Sequence, residues 1–414
     1  MDKDNFSALV MAIGVVSLIV GFAVYFNSPE LNNGTGSGQG GGTTNFIPAT
    51  AQVVQEEGGN DSMTIKKAQF SIDKSHFRKA PEFEKITGVI NTKPISVADL
   101  KGKVVLVDFW TYSCINCIRT IPYLMDWNEK YADKGLVIVG VHAPEFEFEK
   151  NINNVKEAVK RFGIKYPVIQ DNDKGTWNAY QNQYWPRKYL VDNEGYIRYD
   201  HIGEGGYDET ERVIQALLQE GNAELGFDAG LTISNNGNSN SNNSNTVTDR
   251  TITSAPENVQ SVDLSKINSP ELYFGYQFAR AHLGNPEGFK PDQTVDYSLA
   301  NSGSNIKPNV IYLDGTWKNN SDNMELQSET GRIALVYSAK SVNVVAGGKG
   351  EVTVSENGST LVGKYRGADL SEEGKFTTDG QRLYNLSIHD DYETHYIMID
   401  IKGKGFQAYT FTFG

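Results

Sequence analysis

Two patterns of hydrophobic and polar positions follow one another along the chain. In the first, uninterrupted apolar runs such as 104–110 and 136–141 alternate with helical stripes such as 155–162. Continuous apolar runs are typical of parallel strands buried on both faces, and stripes are typical of helices packed on a sheet. Short apolar runs on either side of the turn 192–195 predict a closing hairpin. We therefore predict an α/β layer fold for residues 70–227.

The second pattern begins near residue 269 and contains short alternating runs, for example 333–337, 383–388 and 396–401. Glycine pairs and an Asn-Gly dipeptide separate these runs, as turns do between antiparallel strands. Strong helical stripes are missing from this part of the sequence. The pattern predicts an all-β jelly roll or sandwich for residues 269–414.

Low-complexity segments separate the predicted domains. Residues 27–69 include a stretch rich in Gly, Asn, Ser and Thr, and 235–245 contains only Asn, Ser and Gly. Such compositions bury too little apolar surface to order themselves. We predict flexible linkers at 27–69 and 228–268, which leaves two domains, as expected for 414 residues.

A 21-residue segment without charge, residues 6–26, lies near the N-terminus. About 20 apolar residues span a bilayer as a helix. No small-x-small cleavage site follows, so a retained anchor within residues 1–26 is favoured over a cleaved signal peptide. Lys3 precedes the segment and the next basic residue is Lys66. This asymmetry predicts a single-pass cell-membrane protein with its folded domains extracytoplasmic.

Composition narrows the classes of function. The net charge of −13 argues against a nucleic-acid partner and against electrostatic binding to anionic lipid. Two cysteines cannot form a disulfide scaffold or complete a four-thiolate metal site. If both cysteines take part in a reaction, they therefore act in the same site.

The two cysteines, Cys114 and Cys117, form a C-x-x-C motif between a buried run and an amphipathic one. The positive end of a helix dipole favours thiolate over thiol, and a second thiol one turn later can form a disulfide with the first. We predict a redox-active Cys114–Cys117 disulfide and thiol–disulfide exchange without a cofactor. A metal site is the weaker alternative, because it needs two more ligands and none is nearby in sequence.

Three further residues support a redox site. Asp108 lies inside the apolar run, where desolvation is expected to raise its pKa and suit it to proton exchange with the resolving thiol; the alternative is a strand-end carboxylate in water. Pro122 is expected to kink the helix that begins at the motif. Pro186, after Trp185, is a candidate cis-proline that turns a backbone edge toward the dithiol, or else an ordinary trans proline.

These motifs resemble known families. V-D-F-W-x₃-C-x-x-C, with a proline eight residues after the first cysteine, resembles the thioredoxin superfamily. The lead-in V-A-D-L-K-G-K-V-V-L-V-D-F-W resembles its TlpA/ResA branch. Longer strings, W-T-Y-S-C-I-N-C-I-R-T-I-P-Y-L and N-Q-Y-W-P-R-K-Y-L, are similar to the thioredoxin-like domain of DipZ-type proteins. S-P-E-L-Y-F-G-Y and A-Y-T-F-T-F-G resemble the carbohydrate-module-like domain that follows it there.

The resemblance implies a thioredoxin-like fold and roles for matching residues. Cys114 would attack, Cys117 would resolve, and Asp108 would be the buried proton acceptor. Pro186 would be the cis-proline beside the disulfide, and Trp110 the aromatic residue before the active-site loop.

Other site candidates follow from the expected topology. Loops at the carboxyl ends of parallel strands share one edge of a sheet, which would place His142 and Glu145 near the dithiol. We expect them to contact substrate together with Trp185, although packing explains His142 about as well.

The resemblance also implies partners. DipZ-type proteins carry a multi-helix electron-transfer domain ahead of these parts, where this chain has its predicted anchor. The expected partners are protein disulfides and a separate membrane electron donor of the CcdA/DsbD kind, with a possible role in cytochrome c or metalloprotein maturation. The dipeptide Ile115-Asn116 between the cysteines differs from the Gly-Pro of cytosolic thioredoxins. The reduction potential of those thioredoxins therefore cannot be assigned to this dithiol. Reduction of substrates is favoured over oxidation.

Two other functions remain open at this point. A thiol peroxidase of the same superfamily is expected to carry P-x-x-x-T-x-x-C; Thr111 fits this pattern, but Val107 stands where the proline belongs. Alternatively, the C-terminal domain is a glycan- or protein-binding module. Its sugar platform would be Trp317 or the group Tyr273, Phe274 and Tyr276, unless these aromatic residues form the core.

Overall fold

The computed structural model describes residues 73–225, 262–300 and 306–414. The predicted anchor at 1–26, the linker at 27–69 and most of the linker at 228–268 lie outside these residues. Within them, no helix is both long enough and apolar enough to cross a membrane.

The predicted α/β layer fold is confirmed. Its sheet has six strands in the order β1-β4-β3-β2-β5-β6. The strands are β1 (Gly88–Ile90), β2 (Val104–Trp110), β3 (Leu136–His142), β4 (Val168–Gln170), β5 (Arg187–Val191) and β6 (Ile197–Ile202). The helices are α1 (Ile115–Tyr131), α2 (Ile152–Arg161), α3 (Gly175–Ala179) and α4 (Tyr207–Leu225).

The strand that leads to the dithiol is in the interior of this sheet. Every residue of β2 is buried, as the continuous apolar run predicts. Helix α1 connects β2 to β3 and α2 connects β3 to β4, the crossover that neighbouring parallel strands require. On its other side β2 pairs antiparallel with β5, which forms the predicted hairpin with β6.

The C-terminal domain is all-β, as predicted. Its described strands form one continuous curled sheet of twelve rather than two separate sheets of a sandwich. The strands are β7 (Leu272–Tyr273), β8 (Thr294–Tyr297), β9 (Tyr312–Asn319), β10 (Met324–Leu326), β11 (Thr330–Ser338), β12 (Ser341–Gly347), β13 (Glu351–Glu356), β14 (Ser359–Thr360), β15 (Lys375–Thr377), β16 (Arg382–Ile388), β17 (Thr394–Lys402) and β18 (Gln407–Phe413).

The aromatic residues considered as a sugar platform lie mainly in the core. Trp317 and Phe274 are fully buried in the hydrophobic cluster of this domain, and Tyr273 is also buried. Only Tyr276 is partly exposed. The core alternative is therefore the one observed for the other three rings, because burying them contributes more to stability than exposing them to solvent.

The described residues form two compact units. The first contains residues 73–109, Tyr123–Val141 and 166–225. The second contains Trp110–Pro122 and His142–Lys165 together with the C-terminal β-domain. The residues that carry the cysteines thus belong to the same unit as the C-terminal strands.

Candidate redox site

The two thiols differ in accessibility. Cys114 is half-buried, whereas Cys117 is 1% exposed, and neither is in a disulfide. The Cys117 N–H donates to Cys114 Sγ at 3.3 Å, and the Ile118 N–H donates to the Cys114 carbonyl at 3.0 Å. Cys114 therefore lies at the N-terminal end of α1, as predicted. Of the two residues, Cys114 is the more exposed and Cys117 is buried.

Asp108 is buried in the middle of the sheet. It is 2% exposed, and its Oδ1 has no hydrogen-bond partner among the described residues. Desolvation raises its pKa to about 7, although the charge of Lys188 opposes the rise. Lys188 is the residue opposite Asp108 on β5, and its Nζ donates to the Gly203 carbonyl at 3.1 Å. The predicted burial is observed, and the role as proton acceptor remains a prediction.

The Trp185-Pro186 peptide bond is cis, as predicted. Pro186 directly precedes β5, whose first residue, Arg187, pairs with Phe109 on β2. Trp185 is half-buried and packs on Trp177, with ring centroids 4.3 Å apart. The preceding Tyr184 is 47% exposed.

His142 packs against two aromatic side chains. It is fully buried, its ring is stacked on Tyr112 at 5.6 Å, and it meets the edge of Trp110 at 5.2 Å. Burial lowers its pKa to about 3, so the imidazole is neutral at physiological pH. The observed burial agrees with the packing alternative, and contact of His142 with substrate stays an untested prediction. Trp110 is also buried, at 1% exposure.

Glu149 is a site residue that sequence reasoning missed. It is fully buried, and its Oε1 accepts hydrogen bonds from Thr111 Oγ1 at 2.5 Å and Ser113 Oγ at 2.6 Å. Its Oε2 accepts from the backbone N–H groups of Glu145 at 2.7 Å and Phe146 at 3.0 Å. Burial nevertheless raises the pKa of this carboxyl. One side chain therefore holds both the loop before Cys114 and the segment after β3.

The local sequence pattern does not predict the burial of Glu149. In F-E-F-E-K the two phenylalanines are apolar and the glutamates alternate with them, which predicts glutamates facing water. A short 3-10 helix at Glu147–Lys150 breaks this alternation and turns Glu149 inward. Thr111 and Ser113, on either side of Tyr112, are the donors that such a carboxylate needs.

Glu145 is part of the contacts inside the second unit. Its Oε1 accepts a hydrogen bond from the Tyr273 hydroxyl at 2.7 Å. Nearby, Phe146 and Phe148 pack against Tyr409, with centroid distances of 5.3 and 4.6 Å. Strands β7 and β18 thus support the segment that carries Glu149.

Two family models match the chain. Residues 77–200 match the AhpC/TSA family, and residues 269–414 match the Thioredoxin like C-terminal domain.

The curated relatives include proteins of different length. Protein DipZ of Mycobacterium bovis is 33% identical over 339 residues, which cover 81% of this chain and 43% of DipZ. Thiol-disulfide oxidoreductase ResA of Bacillus cereus is 31% identical over 140 residues, 34% of this chain and 77% of ResA. Thiol-disulfide oxidoreductase YkuV of Bacillus subtilis is 30% identical over 118 residues, 28% of this chain and 79% of YkuV.

The chain spans less than half the length of DipZ, whereas it covers most of ResA and YkuV. Both of these relatives are at least 30% identical to this chain and are covered over more than three quarters of their own length. The chain therefore belongs to the thioredoxin-like family of thiol–disulfide oxidoreductases.

Proposed function

We propose that this protein is a membrane-anchored, extracytoplasmic oxidoreductase that reduces disulfides of other proteins through Cys114 and Cys117. The observation that carries the proposal is the difference in exposure between the two thiols, one accessible and the other 1% exposed. An attacking thiol must reach a foreign disulfide, whereas a resolving thiol must reach only its neighbour.

The reaction proceeds in two exchanges. The Cys114 thiolate attacks one sulfur of the substrate disulfide, the substrate S–S bond breaks, and the departing substrate thiolate takes up a proton. Cys117 then loses its proton and attacks Cys114 Sγ, which releases the second substrate thiolate. The enzyme ends as a Cys114–Cys117 disulfide, and two electrons have passed to the substrate.

Asp108 is the proposed acceptor of the Cys117 proton. Its raised pKa of about 7 lets it take up and release a proton near neutral pH. Its Oδ1 has no hydrogen-bond partner among the described residues, so this atom is free to accept. A carboxylate in water, with an ordinary pKa near 4, would be a poorer base for a thiol.

A polypeptide is the proposed substrate rather than a small disulfide. Tyr184, 47% exposed, and the half-buried Trp185 offer apolar surface directly before the cis-proline. Aromatic side chains of this kind bind polypeptides well, because they bury a large area and lose few rotamers. Glu145, as a hydrogen-bond acceptor at half-buried depth, is a further proposed contact.

The proposal includes regeneration by a separate membrane electron donor of the CcdA/DsbD kind, and a role in cytochrome c or metalloprotein maturation. The uncharged segment at residues 6–26 supports placement at the membrane. An enzyme that reduces substrates must itself be re-reduced, and a membrane partner is a source of electrons outside the cytoplasm.

Insulin reduction tests the proposed function. The full-length protein in detergent, supplied with dithiothreitol, should precipitate the insulin B chain faster than dithiothreitol alone. Cys114→Ser should abolish the acceleration, while Cys117→Ser should trap a mixed disulfide that is visible by mass. Equal rates for the parent and Cys114→Ser would contradict the proposal.

The match to the AhpC/TSA family makes thiol peroxidase the second candidate. Consumption of hydrogen peroxide with the same reductant distinguishes the two. We expect no peroxide turnover above that of the Cys114→Ser variant, because Val107 replaces the proline of the peroxidase pattern. Rapid turnover without insulin reduction would favour the peroxidase.

A further inference from the structure

Three side chains that can bind a metal converge in the C-terminal sheet. Glu356 ends β13, His389 directly follows β16, and His395 is the second residue of β17. One donor atom from each lies within 4.8 Å of the other two. The three residues are 8%, 8% and 7% exposed. Histidines and carboxylates buried together need partners, because each is costly to remove from water alone.

The sheet register brings these distant residues together. Strand β17 pairs with β13 on one side, where Glu356 is opposite Ile397, and with β11 on the other, where His395 is opposite Tyr337. Glu356 and His395 therefore lie on paired strands, and the backbone of His389, which follows β16, donates a hydrogen bond to the Lys340 carbonyl at 2.7 Å.

The carboxylate of Glu356 is oriented by its surroundings. Its Oε1 accepts a hydrogen bond from the Tyr337 hydroxyl at 2.7 Å, and that hydroxyl is 2.7 Å from Ser387 Oγ. The other oxygen, Oε2, is 2.9 Å from His389 Nε2 and 3.7 Å from His395 Nδ1. Outer hydrogen bonds of this kind orient ligating carboxylates in metal sites.

The two imidazoles are stacked, with ring centroids 3.9 Å apart and planes 11° apart. His395 Nε2 is buried and has no hydrogen-bond partner in the part of the chain that the structure describes. The amide of Asn357 lies 3.5 Å from His395 Nδ1. The Oδ1 of the same amide accepts a hydrogen bond from the Tyr396 N–H at 2.9 Å, which orients the Asn357 Nδ2 group toward His395.

We propose that Glu356, His389 and His395 form a binding site for a divalent transition-metal ion, with Zn²⁺ as the occupant. Two imidazoles and one carboxylate are a donor set that Zn²⁺ takes, and its charge compensates the buried carboxylate. The lone pairs of stacked rings run side by side, so ion binding turns one ring until both lone pairs converge. This site departs from the sequence-based expectation of no metal, which concerned the dithiol.

The site is tested with the full-length chain carrying Cys114→Ser and Cys117→Ser, because thiolates also bind Zn²⁺. The protein is treated with a chelator, dialysed, and titrated with Zn²⁺ by calorimetry. We expect one ion per chain and a higher melting temperature with Zn²⁺. His389→Gln and His395→Gln, each in this background, should weaken binding at least tenfold. The exposed His282 supplies the control, and His282→Gln should bind like its parent.

A second measurement, the proton magnetic resonance of the histidine rings, tests the site in the parent itself and so does not depend on every variant being folded. Zn²⁺ added to the thiol-free parent should shift the imidazole proton resonances of two of the six histidines. The signals that shift should be those missing from the spectra of His389→Gln and His395→Gln. Lack of saturable Zn²⁺ binding by the parent, unchanged imidazole signals, or equal affinity in folded variants would overturn the proposal.

Discussion

Two buried carboxyl side chains, Asp108 and Glu149, differ in their surroundings and therefore in the roles that we propose for them. The buried Oδ1 of Asp108 has no hydrogen-bond partner within the described part of the chain, and Glu149 is a carboxyl surrounded by donors. Burial raises the pKa of both. The first suits proton transfer, because its protonation state can change near neutral pH. The second suits positioning, because its oxygens are already bonded to the groups around it.

Asp108→Asn should change the pH dependence of stability. The pKa of Asp108 is about 7 in the folded protein against an ordinary value of 3.8. Between these two values the unfolded chain is ionised while the folded protein still holds the proton. The destabilisation by Asp108 is therefore absent below the unfolded pKa, grows as pH rises, and reaches at most about 4 kcal/mol above pH 7. Asn should remove it.

Urea unfolding between pH 4 and pH 8 measures this effect. The stability difference between Asp108→Asn and the parent should grow in favour of the variant as pH rises. Asp133→Asn, at an exposed position, should show no such trend. A difference independent of pH for Asp108→Asn would contradict the raised pKa.

In insulin reduction, the same variant should be slower by about 100-fold, as expected for loss of a general base.

Glu149→Gln should loosen the loop before Cys114. A glutamine amide places an N–H₂ group where either the two hydroxyls or the two backbone N–H groups now donate, so hydrogen bonds are lost on one side. Leaving buried donors unpaired costs about 1–3 kcal/mol. Urea unfolding at neutral pH checks the loss. Glu147→Gln is the matched control, since Glu147 lies on the same short helix with its side chain 75% exposed. Equal stability of both variants would contradict the positioning role.

At the scale of elements, the sequence predicts what depends on local pattern. The continuous apolar run of β2 predicts its burial on both faces, and the Asp-Asn-Glu-Gly turn predicts the β5–β6 hairpin. The inward turn of Glu149 is not predictable in this way, because F-E-F-E alternates as an exposed strand does. The cluster at Glu356 is also missed, since the register of β13, β17 and β11 depends on pairing between segments far apart in sequence.

Tyr409→Ala should weaken the segment after β3. Tyr409 contacts Phe146 and Phe148 with its ring; Phe146 directly precedes the short helix that carries Glu149, and Phe148 lies within it. Removing a large buried aromatic ring costs about 3–5 kcal/mol. Hydrogen exchange should increase at the amides of residues 145–149. Tyr396→Ala, a half-buried position on β17, is the control and should leave this segment unchanged. Equal exchange in both variants would mean that Tyr409 does not support the segment.

At the scale of the whole molecule, the sequence predicts the order of the domains along the chain. It does not predict which segments belong to the same compact unit. The linker at 235–245 suggests that all of residues 70–227 fold as one body. In the structure, Trp110–Pro122 and His142–Lys165 instead belong to the unit of the C-terminal strands. Phe146, Phe148 and Tyr409, which contact one another within this unit, look like ordinary core positions in the sequence. Likewise, alternating runs predict strands but not their order in a single curled sheet.

Placement at the membrane gives a prediction at this scale. Protease added to intact cells that express the full-length chain should degrade the folded domains, because the proposed orientation puts them outside the cytoplasm. A chain that lacks residues 1–26 should be protected and should leave the membrane fraction. Protection of the full-length chain in intact cells, with degradation only after lysis, would contradict the orientation.

Redox titration of the dithiol tests the central claim most directly. The full-length protein is equilibrated with dithiothreitol or glutathione buffers, quenched with acid, alkylated and weighed by mass spectrometry. We predict a single two-electron couple, in which Cys114 and Cys117 are either both alkylated or both protected. Its potential should lie nearer the about −270 mV of thioredoxin than the about −120 mV of DsbA. Independent alkylation of the two thiols, or a potential close to that of DsbA, would contradict a disulfide reductase.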